Sequence, residues 1–232
     1  MSEPIIIFED DQLVVLNKPP GLMVHPDGRH TEPTLEDWLK DKYAATAGGP
    51  GFYLVHRLDA DTSGVIAVAR TEEAFEYLKS QFKNRETRKT YRAFLYGSMK
   101  DDRGMIDKPI GSARGGLGPR SAKHPYGVQR DALTLYRVIE RGSAGAPDNK
   151  VTYVEIFPKT GRTHQIRVHF ASVSHPVLCD RLYAPGRPAL LSFDRLALHA
   201  LSLTLKHPNR KEMTFEAPLP EDFVAAEGEL HK

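Results

Sequence analysis

Short apolar runs, each stopped by proline, glycine or a cluster of charges, dominate this chain and leave it room for many strands and few helices. Ile5 to Phe8 and Leu13 to Leu16 flank the acidic turn Glu9–Gln12 and predict a hairpin, which Pro19-Pro20-Gly21 closes. Further strand signals lie at Phe52–His56, Val65–Ala69, the KTYRAFLY stretch, Ala132–Ile139, Val151–Phe157, Leu196–Leu205 and Met213–Phe215. Helical spacing is confined to three places. Thr34 caps a short segment through Leu39, and Thr71 opens an amphipathic stretch to about residue 85 with Phe75, Leu78 and Phe82 on one face. Ile166, Phe170 and Val173 mark the third, with Thr163 as its expected cap. Residues 98–130, rich in glycine and proline, read as irregular. Strands in runs with interspersed helices predict an α+β fold on a mixed, largely antiparallel sheet flanked by helices, with a central cleft. Neither a repeat nor a clean linker appears, so the whole of 1–232 is expected to be one catalytic-sized domain.

Composition narrows the function classes. The 232 residues carry 32 Lys+Arg against 30 Asp+Glu, a net charge of +2, so bulk charge does not announce a nucleic-acid binder. The single Cys179 excludes a disulfide framework and fits a reducing, cytoplasmic setting. No signal peptide and no apolar run of membrane-spanning length is visible. His164 and His169 are five apart, the wrong spacing for a helical zinc pair, and there is no CxxC. Phosphate-loop, dinucleotide and GxSxG signatures are absent as well, so neither a metal nor a nucleotide cofactor is expected.

Two polar segments could carry chemistry. His56-Arg57-Leu58-Asp59-Ala60-Asp61-Thr62-Ser63-Gly64 packs two carboxylates, a guanidinium, an imidazole and two hydroxyls between two apolar strands. Loops held by rigid strands are where functional groups are presented, although local Asp and Thr hydrogen bonds would also make a plain solvated turn. Lys159-Thr160-Gly161-Arg162-Thr163-His164-Gln165 runs into the third helix, where Arg162 and the free amides favour an anion; the alternative is a capped helix with a surface arginine. A third segment is basic. Residues 103–130 hold Arg103, Lys108, Arg114, Arg120, Lys123 and Arg130 against Asp107, a net +5 with Tyr126 nearby. Charge runs are usually solvated faces, yet this one suits a phosphate backbone.

HRLDADTSGVIAVA, KTYRA and TGRTHQIRVH, in that order, resemble the three motifs of the RluA branch of RNA pseudouridine synthases. NKPPGLMVHP, SHPVLCDRLYAP and LALHA are similar to further family segments, so the resemblance spans residues 5–218. The sister RsuA-like branch matches less well, since it typically has glycine where His56 stands. One departure is Ser174, where many members have glycine before His-Pro.

The resemblance implies an enzyme that isomerises uridine in ribosomal large-subunit RNA or transfer RNA stem-loops, without cofactor or metal. Asp59 would be the catalytic aspartate, acting on the ribose by attack at C1′ or by removing the C2′ proton. Arg162 would pair with it, and Tyr91 would stack on the target base and help move the C5 proton. Arg57 would fill the space left by the flipped uridine. His56, Lys89 and the basic-loop residues Arg114, Arg120 and Lys123 are the remaining expected RNA-side residues, His56 chiefly by shaping its loop. Relative to many members, the chain is expected to lack an N-terminal accessory RNA-binding domain, to be a monomer, and to recognise its stem-loop with the catalytic domain itself. A non-catalytic RNA chaperone of the same fold is the alternative, and a glycosidase or nuclease using Asp59 and Asp61 a weaker third.

Overall fold

A computed structural model of the chain describes residues 2–26, 28, 31–43, 51–113 and 119–230. In chain order the elements are β1 (Ile5–Glu9), β2 (Leu13–Lys18), α1 (Leu35–Lys42), β3 (Tyr53–Leu54), β4 (Ser63–Ala69) and α2 (Glu72–Asn84). They continue with β5 (Arg88–Tyr96), β6 (Arg103–Asp107), β7 (Ile110–Ser112), β8 (Arg120–Ser121), β9 (Tyr126–Arg130), β10 (Leu133–Ser143) and β11 (Lys150–Pro158). The last are α3 (Gln165–Ser172), β12 (Leu198–Lys206), β13 (Glu212–Glu216) and α4 (Glu221–Leu230). This is the expected α+β class.

The elements gather into two compact units. The first comprises Met1–Lys89 with Ala200–Pro218. The acidic turn brings β1 and β2 into an antiparallel hairpin, Asp10 accepting the Gln12 and Leu13 amides at 2.9 Å. β2 pairs antiparallel with β4, which lies beside β12, and β13 folds back on β12. All seven β4 residues are buried, so the strand reads as a continuous apolar run rather than an alternation. α2 begins at Thr71, whose hydroxyl caps Ala74, and buries Ala74, Leu78 and Gln81 at helical spacing. Gln81 is the one polar residue in that stripe. Its amide donates to the Lys206 carbonyl at 2.7 Å and accepts from the Lys206 amide at 2.8 Å, so its side chain pairs with β12 as a peptide group would. The expected strand Phe52–His56 shrinks to Tyr53–Leu54, because Phe52 turns into the core and the chain leaves the ladder to start the polar loop.

The second unit comprises Thr90–His199 with Leu219–Lys232. β11 lies between β5 and β10, with β6 beyond β10, and all three pairings are antiparallel. One face packs on α3 through Tyr136 and Phe170, and the other on α4 through Phe94, Tyr153 and Phe223. Three expectations are corrected here. The described part of residues 98–130 is not irregular: β6 joins the main sheet, and β8, β7 and β9 form a separate three-stranded sheet. Its strands are only two to five residues long. β10 also runs on to Ser143, shortening the loop expected before β11, and α4 appears where no helix was anticipated.

Candidate active site

In the first unit the polar loop 56–64 is clamped at both ends and in the middle. Lys18, the last residue of β2, is wholly buried, and its ammonium donates to the carbonyls of Pro19, Leu22 and Ala60, each at 2.8 Å. The Gly21 amide donates to the same Ala60 carbonyl at 2.9 Å. A buried ammonium is tolerated only when its donors are met, and here one of the three carbonyls that meet them belongs to the turn that follows Asp59. The Thr62 amide closes that turn on the Asp59 carbonyl at 3.1 Å. Leu58 is buried between exposed Arg57 and partly exposed Asp59, so the loop's one large apolar side chain pins it. At the exit, Gly64 sits at φ +112°, and a Cβ there would collide with the Ala200 carbonyl of β12. Only glycine fits.

His56 works from inside. Its ring stacks on Phe82 at 4.5 Å, and Nε2 accepts the Ala67 amide at 2.9 Å, which leaves the proton of the neutral ring on Nδ1. Burial, assisted by the nearby Lys89 charge, holds its pKa down to about 3. Lys89 is itself half-buried at the start of β5, and its desolvation lowers its pKa. The structure thus brings His56 and Lys89 together behind the loop that carries Arg57 and Asp59.

Tyr91, Arg162, Arg120 and Lys123 belong to the second unit. Tyr91 lies on β5 opposite Ile156 of β11, half-buried against the core. Arg162 is partly exposed in the turn between β11 and α3, its Nε donating to the Asp131 carbonyl at 3.1 Å. Thr163 does not cap α3. His164 takes that position at φ +56° with no side-chain cap bond, and Gln165 does the work instead. Its Oε1 accepts the Arg162 amide at 3.0 Å and the Thr160 hydroxyl at 2.6 Å, while its Nε2 donates to the Leu133 carbonyl and Thr134 Oγ1. Arg162 therefore hangs on a turn held by a buried glutamine.

Behind that turn, His164 Nδ1 lies 3.0 Å from the Tyr183 hydroxyl, which also accepts the Arg120 amide of β8 at 3.1 Å. Arg167 and Asp180 form a buried bidentate pair at 2.8 Å, and Asp180 also receives the Leu182 and Tyr183 amides. His169 is buried between Thr134 Oγ1 and the Lys108 carbonyl, and burial lowers its pKa. It is a core histidine. Among the described residues no group of three His, Cys, Asp or Glu side chains is placed to hold a metal. Arg120 and Lys123 are exposed on or beside the three-stranded sheet, whereas Arg114 lies outside the described residues.

Lys18, Gln165 and Tyr183 were missed by sequence reasoning. Lys18 alone left a signal, as a lysine just past the apolar run Leu13–Leu16 and directly before Pro-Pro-Gly.

The family model described as RNA pseudouridylate synthase matches residues 12–172. The chain is 38% identical over 232 residues to the ribosomal large subunit pseudouridine synthase D of Pasteurella multocida, covering 94% of this chain and 68% of that one. It is 36% identical to an uncharacterized RNA pseudouridine synthase of Synechocystis, covering 94% and 66%. The chain thus spans about two thirds of the length of these curated relatives. Among solved structures it is similar to human RNA pseudouridylate synthase domain containing 1, with a TM-score of 0.76 at 28% identity over 94% of this chain and 84% of that one. Human RNA pseudouridylate synthase domain containing 4 gives the same TM-score at 27% identity, covering 98% and 93%. No described helix is long and apolar enough to cross a membrane.

Proposed function

Because the chain belongs to the RNA pseudouridylate synthase family, we propose that Asp59, Tyr91 and Arg162 carry its isomerisation of uridine to pseudouridine, and that its substrate is a stem-loop of ribosomal large-subunit RNA. The reaction breaks the N1–C1′ bond, turns the base and joins C5 to C1′; C5 gives up its proton to solvent and N1 takes one up. Atoms balance within the nucleotide, so no co-reactant is needed. Asp59 acts on the ribose, a task for which a carboxylate on a rigid, partly enclosed loop is suited; the Lys18 latch and the Gly64 contact supply that rigidity. Tyr91 stacks on the base. A free phenol titrates near 10, so its part in moving the C5 proton needs a relay. Arg162 pairs with the carboxylate, its turn fixed by Gln165.

The target uridine must leave its stack, at a cost of a few kcal/mol. Arg57, exposed beside Asp59, fills the vacated space with a flat cation suited to stacking. Arg120 and Lys123, with Arg114, contact phosphates. His56 and Lys89 shape the loop from within. We further propose that the protein works as a monomer in the cytoplasm.

The observation that carries this reading is the family match over residues 12–172, which contain every proposed site residue. The test is tritium release from ribosomal RNA and transfer RNA pools labelled as [5-³H]uridine. Release from the ribosomal pool that disappears in Asp59→Asn, with RNA binding kept, is the expected result. Release by Asp59→Asn at the parental rate would remove Asp59 from the chemistry. RNA bound without release from either pool would point to the non-catalytic reading.

A further inference from the structure

The three-stranded sheet offers more than loose charge. The register pairs Ser112 of β7 with Arg120 of β8 on one side and with Tyr126 of β9 on the other. Directly paired residues share a face, so Tyr126, Ser112 and Arg120 stand in one cross-strand row, the backbones of its two outer residues roughly 10 Å apart. Arg120 Nη1 reaches Ser112 Oγ at 3.3 Å, which orients the guanidinium across that face. Every residue of β9 is exposed: Tyr126 at 60% and Val128 at 82%. An edge strand that leaves a tyrosine and a valine in water gains nothing from them in the fold.

The sheet is nevertheless firmly seated. Two residues along β7 and β8 from that row, the same face packs Ile110 and Ala122 against Ala132 and against Val168 of α3, with Tyr183 alongside. The Arg120 amide is fastened to the Tyr183 hydroxyl, and Ser121 Oγ accepts the His124 amide at 3.0 Å. Residues 119–130 hold Arg120, Lys123 and Arg130 and no carboxylate. An aromatic ring and a fixed guanidinium on one rigid, cationic face match an unpaired nucleotide, ring to base and cation to phosphate. A duplex keeps its bases inside and would use only the charges.

We propose that the exposed Tyr126–Ser112–Arg120 row of the β8-β7-β9 sheet is a platform for an unpaired nucleotide of the RNA, Tyr126 stacking on the base and Arg120 holding a phosphate. This rests on reading the chain as an enzyme that acts on structured RNA, and adds a second place at which that RNA is gripped.

Fluorescence anisotropy with end-labelled decacytidylate, and with the same strand paired to decainosinylate, tests it on the full chain. Decacytidylate contains no uridine, so its binding is separate from isomerisation. Tyr126→Ala should weaken the single strand about tenfold or more, as loss of one base–aromatic stack does, and leave the duplex unchanged. Tyr126→Phe should bind as the parent does, and Tyr126→Leu, apolar but without a ring, should behave like Tyr126→Ala. Arg120→Ala should flatten the salt dependence of single-strand binding by about 0.7 in the logarithmic slope. Parental affinity in Tyr126→Ala, or equal losses on single strand and duplex, would overturn the platform. So would a Phe variant as weak as the Ala variant. The two readings fail separately: an active Asp59→Asn would sink the catalytic assignment and leave the platform result standing, whereas normal decacytidylate binding by Tyr126→Ala beside a dead Asp59→Asn would sink the platform alone.

Discussion

Ser174 holds its backbone at φ +69°, just past the end of α3, with its amide on the Ala171 carbonyl. That is the left-handed position where helices commonly end on glycine, and a side chain there costs about 1–2 kcal/mol. Ser174→Gly removes that cost and returns part of it as extra freedom in the unfolded chain. The variant should be more stable by about 0.5–1 kcal/mol, seen as a higher denaturation midpoint at unchanged slope. A lower midpoint would mean that the serine hydroxyl stabilises more than the backbone strain costs. The departure from the family's glycine was legible in the sequence, but its meaning was not, because a dihedral angle leaves no mark in composition. Asp59, Tyr91 and Arg162 stood out by lying in three ordered motifs. Tyr183 acts through a partner 63 residues away that nothing local announces, and the Lys18 reach to Ala60, 42 residues away, is hinted at only by its place before Pro-Pro-Gly.

At the scale of elements, strands such as β4 and β11 were readable because their apolar runs are long enough to be buried across the sheet. β9 was not, since YGVQR is exposed throughout and shows neither alternation nor an apolar run. The loop 56–64 depends on a neighbour as much as on its own sequence: β2 delivers Lys18 beneath it. Lys18→Met keeps the length and packing of the stem and removes the charge, leaving the carbonyls of Pro19, Leu22 and Ala60 without that donor. The expected loss is about 2–4 kcal/mol in unfolding free energy. Because the latch sits one residue beyond Asp59, turnover in the tritium assay should fall at least tenfold under conditions where the variant remains folded, with KM nearly unchanged. A fall confined to stability, with parental kcat, would make Lys18 a packing residue only.

For the molecule as a whole, stability should be bounded on both sides of neutrality by groups that burial forbids to charge. On the acid side stand His56, held down to about 3, and His169, also lowered. Unfolded, each imidazole titrates near 6.5. Below that pH the unfolded chain takes up protons that the folded one refuses, so the contribution is complete above 6.5 and is lost as pH falls toward 3. On the alkaline side Tyr43 is pushed up to about 12 by burial, and Tyr96 and Tyr136 are raised for the same reason. Their contribution is complete below about 10 and is lost as pH rises beyond it. Half-buried Lys89 is lowered, so its desolvation acts in the opposite sense there. The cleanest window is pH 5 to 6.5, above the range where the lowered carboxylates Glu36, Asp37 and Glu212 begin to matter. Unfolding free energy measured across that window should rise with pH, each excluded proton adding up to about 1.4 kcal/mol per pH unit. His56→Gln removes one such proton, so its slope should be shallower by up to that amount even if its stability at pH 7 is lower. An unchanged slope would mean that His56 opens to water and titrates normally, and the loop carrying Asp59 would then be far less rigid than its hydrogen bonds imply.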